Sequence, residues 1–159
     1  MTEPKKVDIG IDTIRKILPH DYPFLFVDRI IELDEDKFCK GLKNVTYNEL
    51  LFQGHFKNFP VLPGVIMIEA MAQLSGCLTY LSEKNTDEES NKDMPFLVGV
   101  DNTKFKKQVR PGDQIHISSW FLDGKLSLYR YKSQIHIKEL DNSMTLACEG
   151  TVKLIRKKQ

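Results

Sequence analysis

The segment QGHFKNFPVLPGVIMIEAMAQ, Gln53 to Gln73, sets a histidine, His55, ahead of a loop punctuated by proline and glycine, and a lone carboxylate, Glu69, in the apolar run behind it. An imidazole can accept a proton near neutral pH, and a carboxyl group can give or take one or orient a water. Between them, Pro63-Gly64 marks a helix start. Gly64 lets a ligand approach the backbone, and the first N–H groups of the helix point outward at the positive end of its dipole. Negative charge developing on a carbonyl oxygen would be stabilised there, an effect worth roughly 10²–10³ in rate per donor. A base, a carboxyl group and an oxyanion-binding helix end together suit proton abstraction beside a carbonyl.

Each residue also has a plainer reading. A loop histidine is more often bonded to backbone or water than catalytic, and Glu69 could lie on one exposed strip of its helix or be satisfied in the interior. Left unpaired and buried, it would cost several kcal/mol, given about 2–7 even for a neutral polar group. Gln73, one turn further on, stands where an i,i+4 hydrogen bond could reach it.

The elements that must position these groups fit one domain. At 159 residues the chain is long enough for a single sizeable core over 1–159. Its 41% hydrophobic and 28% charged residues are ordinary for a globular protein, and a net charge of +1 argues against bulk nucleic-acid binding. The N-terminus MTEPKKVDIG lacks an apolar core of signal-peptide length, and no unbroken apolar run approaches the roughly 20 residues of a membrane span. The expectation is a cytoplasmic protein without membrane insertion. Cys39, Cys77 and Cys148 form no CxxC pair, so neither a disulfide framework nor a cysteine zinc site is indicated. His116 and His136 lie on successive strands without a companion carboxylate cluster, and no metal is expected.

Asp8 can cap a short helix through Leu18, with Ile11, Ile14, Ile17 and Leu18 on one stripe and Pro19 as its stop. Strands are predicted over 24–33 and 38–45, with Asp34 to Lys37 as their turn. A helix follows from Pro63-Gly64 to about Tyr80, apolar on every side, so it must be buried on most of them. The economical solution is a curved sheet wrapped around it, with another subunit covering the remainder. The stretch 82–93, with no large apolar residue, reads as a mobile loop. Strands over 96–100, 105–109, 114–121, 126–138 and 144–155 complete an antiparallel α+β order. Asp123-Gly124 and Asp141 to Ser143 signal reversals.

At GHF, the spaced prolines, PGV and the following E-A-x-A-Q, the sequence resembles the 3-hydroxyacyl-[acyl-carrier-protein] dehydratases of bacterial-type fatty-acid synthesis. LPHDYPFLFVDRI at 18–30, Gly-Val-Asp at 99–101 before KFKK, and VRPGD at 109–113 extend the resemblance over roughly residues 9 to 155. It implies a hot-dog fold, a long helix wrapped by an antiparallel sheet, and homodimers with two shared active-site tunnels, usually assembled as trimers of dimers. By position His55 and Glu69 correspond to the catalytic pair, given to each site by different subunits, and Gly64 and Val65 to the helix end that contacts the thioester carbonyl. Glutamate at position 69 resembles the non-isomerising branch. Lys57 stands where the family usually has proline, which should loosen the loop carrying His55.

The implied reaction is elimination of water from a (3R)-hydroxyacyl thioester to give the trans-2-enoyl thioester, with no cofactor. A raised Glu69 pKa, by desolvation, would let it act directly as an acid. Val61, Leu62, Ile66 and Met67 are expected along the tunnel, with Phe59 or Phe96 closing it. Lys104, Lys106, Lys107 and Arg110 form a basic stretch that could dock an acidic acyl carrier protein, or equally protect a sheet edge. In extended form Lys104, Lys106, Gln108 and Arg110 would share one face, opposite Phe105 and Val109. A hot-dog thioesterase and a non-catalytic acyl-thioester-binding module are the rival readings.

Overall fold

The computed structural model, which describes residues 3–82 and 93–158, opens with a strand where the sequence suggested a helix cap. Strand β1 (Lys5–Ile9) contains Asp8, whose carboxylate pairs with Arg29 of β2 (Arg29–Asp34). Helix α1 (Ile11–Ile17) is correspondingly shorter and begins after Gly10, with no side-chain cap. Residues 24–28, expected as strand, instead form the irregular lead into β2. Strand β3 (Phe38–Asn44) returns across the turn at Asp34 to Lys37. A short 3-10 turn, Leu50–Gln53, then leads to the loop of His55.

Helix α2 (Gly64–Ser82) follows, and then β4 (Asp93–Phe105), β5 (Gln114–Lys125), β6 (Leu128–Lys138) and β7 (Met144–Lys158). The expected loop over 82–93 lies, apart from its two end residues, outside the described residues. The strands form one antiparallel sheet in the order β1-β2-β3-β5-β6-β7-β4, and α2 packs along its concave centre against β3, β5, β6 and β7. This is the hot-dog arrangement.

Why α2 takes this place follows from its composition. Leu, Met and Ala favour a helix, and the residues at 66, 67 and 70–79 are buried. Met71, Leu74 and Leu78 meet the inward residues of the sheet, Ile115 and Ile117 of β5 and Ile135 and Ile137 of β6, all buried. Each such side chain contributes about 1.5–3 kcal/mol on leaving water. Polar groups on the buried face are paired with one another. Ser75 Oγ lies 2.7 Å from Ser119 Oγ, and Thr79 Oγ1 lies 2.5 Å from the Tyr131 hydroxyl. By length and composition α2 could cross a bilayer, but most of it is buried inside the protein, as a core helix is.

Two reversals differ in instructive ways. Asn142 takes the left-handed conformation in the reversal between β6 and β7, as expected from its sequence signal. Asp123-Gly124, by contrast, stays within β5, and the chain turns at Leu126-Ser127, both with positive φ. Arg130 donates to both carboxylate oxygens of Asp123 across the strand pair, which extends the ladder beyond the expected turn.

Gly41 of β3 marks a close approach of sheet and helix. A Cβ there would lie 2.8 Å from Leu74 Cδ1 and 3.0 Å from the Arg29 carbonyl oxygen. Gly41→Ala is therefore expected to cost about 1–3 kcal/mol, read as a lower urea midpoint. Gly10→Ala, with no atom within 4 Å of the added carbon, serves as the near-neutral control.

Candidate active site

The loop after the 3-10 turn is tied back on itself. Its backbone bonds run from His55 N to Leu51 O, from Val61 N to His55 O, and reciprocally between Phe56 and Phe59. Lys57 lies inside this bonded loop. Arg110 adds a clamp from the next segment, lying 4.5 Å from the Phe59 ring and donating from Nε to the Pro60 carbonyl at 3.3 Å. The sequence suggested docking and tunnel roles for Arg110 and Phe59, and the structure pairs them with each other.

His55 Nδ1 lies 2.7 Å from the Val61 carbonyl oxygen. A carbonyl can only accept, so Nδ1 carries the hydrogen, and in the neutral ring Nε2 is left with its lone pair. That is the tautomer a proton acceptor needs. The ring stacks on Phe56 and borders a cleft of about 530 Å³ that is also lined by Val61, Leu62, Gly64, Val65 and Met67.

At the end of α2 the N–H groups of Ile66 and Met67 are both spent on the Pro63 carbonyl. Those of Gly64 and Val65 have no acceptor among the described residues. They stand at the positive end of a long helix, on the His55 cleft, where a carbonyl oxygen could be bound. Glycine at 64 has a steric reason. An added Cβ would come 2.9 Å from the Phe105 ring, which covers this position. The expected alternation beyond Phe105 fails here, because Lys106 N and Lys107 N both bond the Ala147 carbonyl. As a result Phe105, Lys106, Lys107 and Gln108 all border the cleft, while Val109 is fully buried.

Glu69 opens on a different cleft. This one, about 220 Å³, is lined by His20, Phe24, Gln73, Phe96 and Leu97 among others. Gln73 is buried with its amide fully oriented: Oε1 accepts from Phe26 N at 2.8 Å, and Nε2 donates to Phe24 O at 2.9 Å and to Glu69 Oε1 at 3.0 Å. The i,i+4 contact suggested by the sequence is thus present and anchored to the 24–26 segment. His20 Nε2 lies 3.3 Å from the same Oε1. Burial raises the Glu69 carboxyl, but His20 and the Gln73 amide outweigh it and hold the group below its ordinary value. The expectation of a raised pKa is therefore reversed, by neighbours rather than by burial.

Of the remaining residues, Val61 and Leu62 border the His55 cleft and Phe96 the Glu69 cleft, whereas Ile66 belongs to the core. Lys106 pairs with Glu149 at 2.8 Å, and Lys107 pairs with Glu139, so part of the basic stretch is neutralised. Burial pushes the Cys77 thiol up to about 12 and Cys148 to about 11, which suits inert core residues. Sequence reasoning missed His20. Its signal was a histidine inside the proline-bounded LPHDYP segment, with nothing in the spacing to connect it to position 69.

Fold and site together define the class: the chain belongs to the FabA-like domain family, whose model matches residues 18–139. Within it, the chain is similar to proteins named 3-hydroxyacyl-[acyl-carrier-protein] dehydratase FabZ. That of Geotalea uraniireducens is 53% identical over 69% of this chain and 73% of its own. That of Teredinibacter turnerae is 41% identical over 91% and 98%, respectively. A chain of a solved complex titled the dehydratase heterocomplex ApeI:P, from Xenorhabdus doucetiae, shares the fold with a TM-score of 0.73. It is 18% identical and covers 92% of this chain and 91% of its own.

The lowered Glu69 carboxyl has a signed consequence. A group whose folded pKa lies below its unfolded one stabilises fully above the unfolded value, and that stabilisation is lost as pH falls through the folded one. The stability gap between wild type and Glu69→Gln, from urea titrations, should hold from neutral pH down to about the ordinary 4.5 and narrow below it. A gap that widens on acidification would contradict the lowered direction.

Proposed function

We propose that the chain dehydrates 3-hydroxyacyl thioesters carried on acyl carrier protein to trans-2-enoyl thioesters, as a hydro-lyase of fatty-acid biosynthesis. The observation that carries this reading is the His55 tautomer beside the free N–H groups of Gly64 and Val65. The thioester carbonyl binds at those N–H groups, which draws electrons from C2 and makes its proton acidic. His55 Nε2 takes that proton, the C2–H electrons form the C2–C3 double bond, and the C3 hydroxyl leaves as water with the proton that the His55 imidazolium gives back, directly or through the water on Glu69. Glu69 meets the hydroxyl as a carboxylate that orients it, or a water on it. No oxidant, reductant or metal enters this balance.

His55 and Glu69 border separate clefts of one protomer, which supports a site built from two copies. Strand β4 is the sheet edge that offers one. It is long, paired only with β7, and exposes Phe96, Leu97, Val98 and Val100. Such an edge invites pairing with another chain. We read the protein as a homodimer joined along β4, with Phe96 of that strand bordering the site, and further assembly into a trimer of dimers as an extension of the same reading. Lys104, together with Lys106, Lys107 and Arg110 beside the His55 cleft, supplies the cationic surface for an acidic carrier protein. The thioesterase and binding-module readings are not favoured, because relatives named as dehydratases match most of the chain.

Hydration of trans-2-enoyl thioesters, followed as loss of the enoyl-thioester absorbance, tests the assignment. Wild type is expected to turn over. His55→Ala and Glu69→Gln should each lose about 10²–10⁴ in kcat, and full activity in both variants would sink the pair.

A further inference from the structure

The proposed mechanism uses His55 and leaves a second histidine unexplained. His20 sits in the segment between α1 and β2, on the Glu69 cleft, its ring against Phe24. Its Nδ1 is buried and has no hydrogen-bond partner among the described residues. Its Nε2 points the other way, 3.3 Å from Glu69 Oε1. A ring with one nitrogen buried and unpartnered is not placed there by its own hydrogen bonding, because leaving a polar atom unsatisfied costs about 1–3 kcal/mol. What the placement achieves is contact with the carboxylate.

The two neighbours of Glu69 act on the same atom. Gln73 Nε2 donates to Oε1 and His20 Nε2 faces Oε1, while Oε2 has no partner among the described residues and keeps contact with solvent. The carboxylate is thus held by one oxygen and offers the other. Gln73 is itself locked by Phe24 and Phe26, and His20 is carried by the same stretch of chain, so residues 20–26 and α2 grip Glu69 together.

We propose that His20 is a positioning residue for the dehydration reaction: it secures Oε1 of Glu69 so that Oε2 faces the C3 hydroxyl of the substrate, or the water on it, as an acceptor. The inference rests on the dehydratase reading and refines it, since the carboxyl then works in its ionised form. The lowered Glu69 carboxyl agrees with this geometry. Among the described residues, no other charged group lines this cleft. On β4 the cleft presents Pro95, Phe96 and Leu97, on β7 Leu154, and on α2 Ala72 and Gln73. Asp21, next to His20, turns away to Arg15 at 3.1 Å.

The test compares the titration of the Glu69 carboxyl by carbon NMR, with kcat and KM for enoyl-thioester hydration, in wild type, His20→Leu and His20→Gln. Leucine removes the contact with Oε1, while glutamine keeps an N–H donor. Without His20, burial is opposed by Gln73 alone, so the Glu69 carboxyl should titrate at higher pH in His20→Leu, with kcat down about tenfold and KM nearly unchanged. Glutamine should return both towards wild type. A drop in kcat or in thermal midpoint with the Glu69 titration unmoved would overturn the positioning role, as would equal behaviour of Leu and Gln. The NMR titration reads the effect even where turnover is too low to follow. Wild-type turnover, lost in Glu69→Gln, separates failure of this inference from failure of the dehydratase reading: an inert wild type defeats the reading itself, whereas an active one with an unmoved Glu69 titration defeats only the role of His20.

Discussion

Burying α2 is the constraint from which the other features follow. A helix apolar on every side has no face to give to water, and a single sheet can cover only part of its circumference. The curved β3-β5-β6-β7 centre takes that part. What remains are the ends and one strip, and these are where Gly64, Val65 and Glu69 stand. The same requirement that drives the core together thus leaves the proposed reactive groups among the helix positions that are still accessible.

The two halves of the site are held by different means. His55 depends on a loop closed by its own backbone bonds and clamped by Arg110, and the Val61 carbonyl chooses its tautomer. Glu69 depends on α2 and on the 20–26 segment, through Gln73 and His20. Among the described residues the two sets of supports share no hydrogen bond or ion pair. In the proposed reaction, preorganisation of this kind lowers the cost of bringing base and carboxylate to one substrate. In the proposed dimer, the final assembly step falls to the contact between copies at the exposed apolar edge of β4.

Much of this was legible in the residues. Helix α2 was marked by its apolar composition and by Pro63-Gly64, and most strands by their alternation and bounding turns. The pair His55 and Glu69, with the i,i+4 partner Gln73, stood out by type and spacing. What was not legible depended on tertiary contacts. Asp8 looks like a cap until Arg29 draws it into a strand pair, and Asp123-Gly124 looks like a turn until Arg130 extends the ladder past it. The ionisation of Glu69 was misjudged for a similar reason. Burial could be inferred from the apolar helix, but His20 arrives from a segment remote in sequence and joins Gln73 in lowering the carboxyl. The alternation expected over the 104–110 segment ends where two successive amides share the Ala147 carbonyl.

The claim that base and carboxylate meet only across two copies can be tested by subunit mixing. His55→Ala and Glu69→Gln, each inactive alone, are unfolded together and refolded at equal amounts. A random mixture of two-fold dimers is about half hybrids, each with one site intact, so about a quarter of wild-type activity should return. Activity that stays at the level of the separate variants, in a preparation shown to contain hybrids, would mean that each chain holds its own complete site and would contradict the shared one.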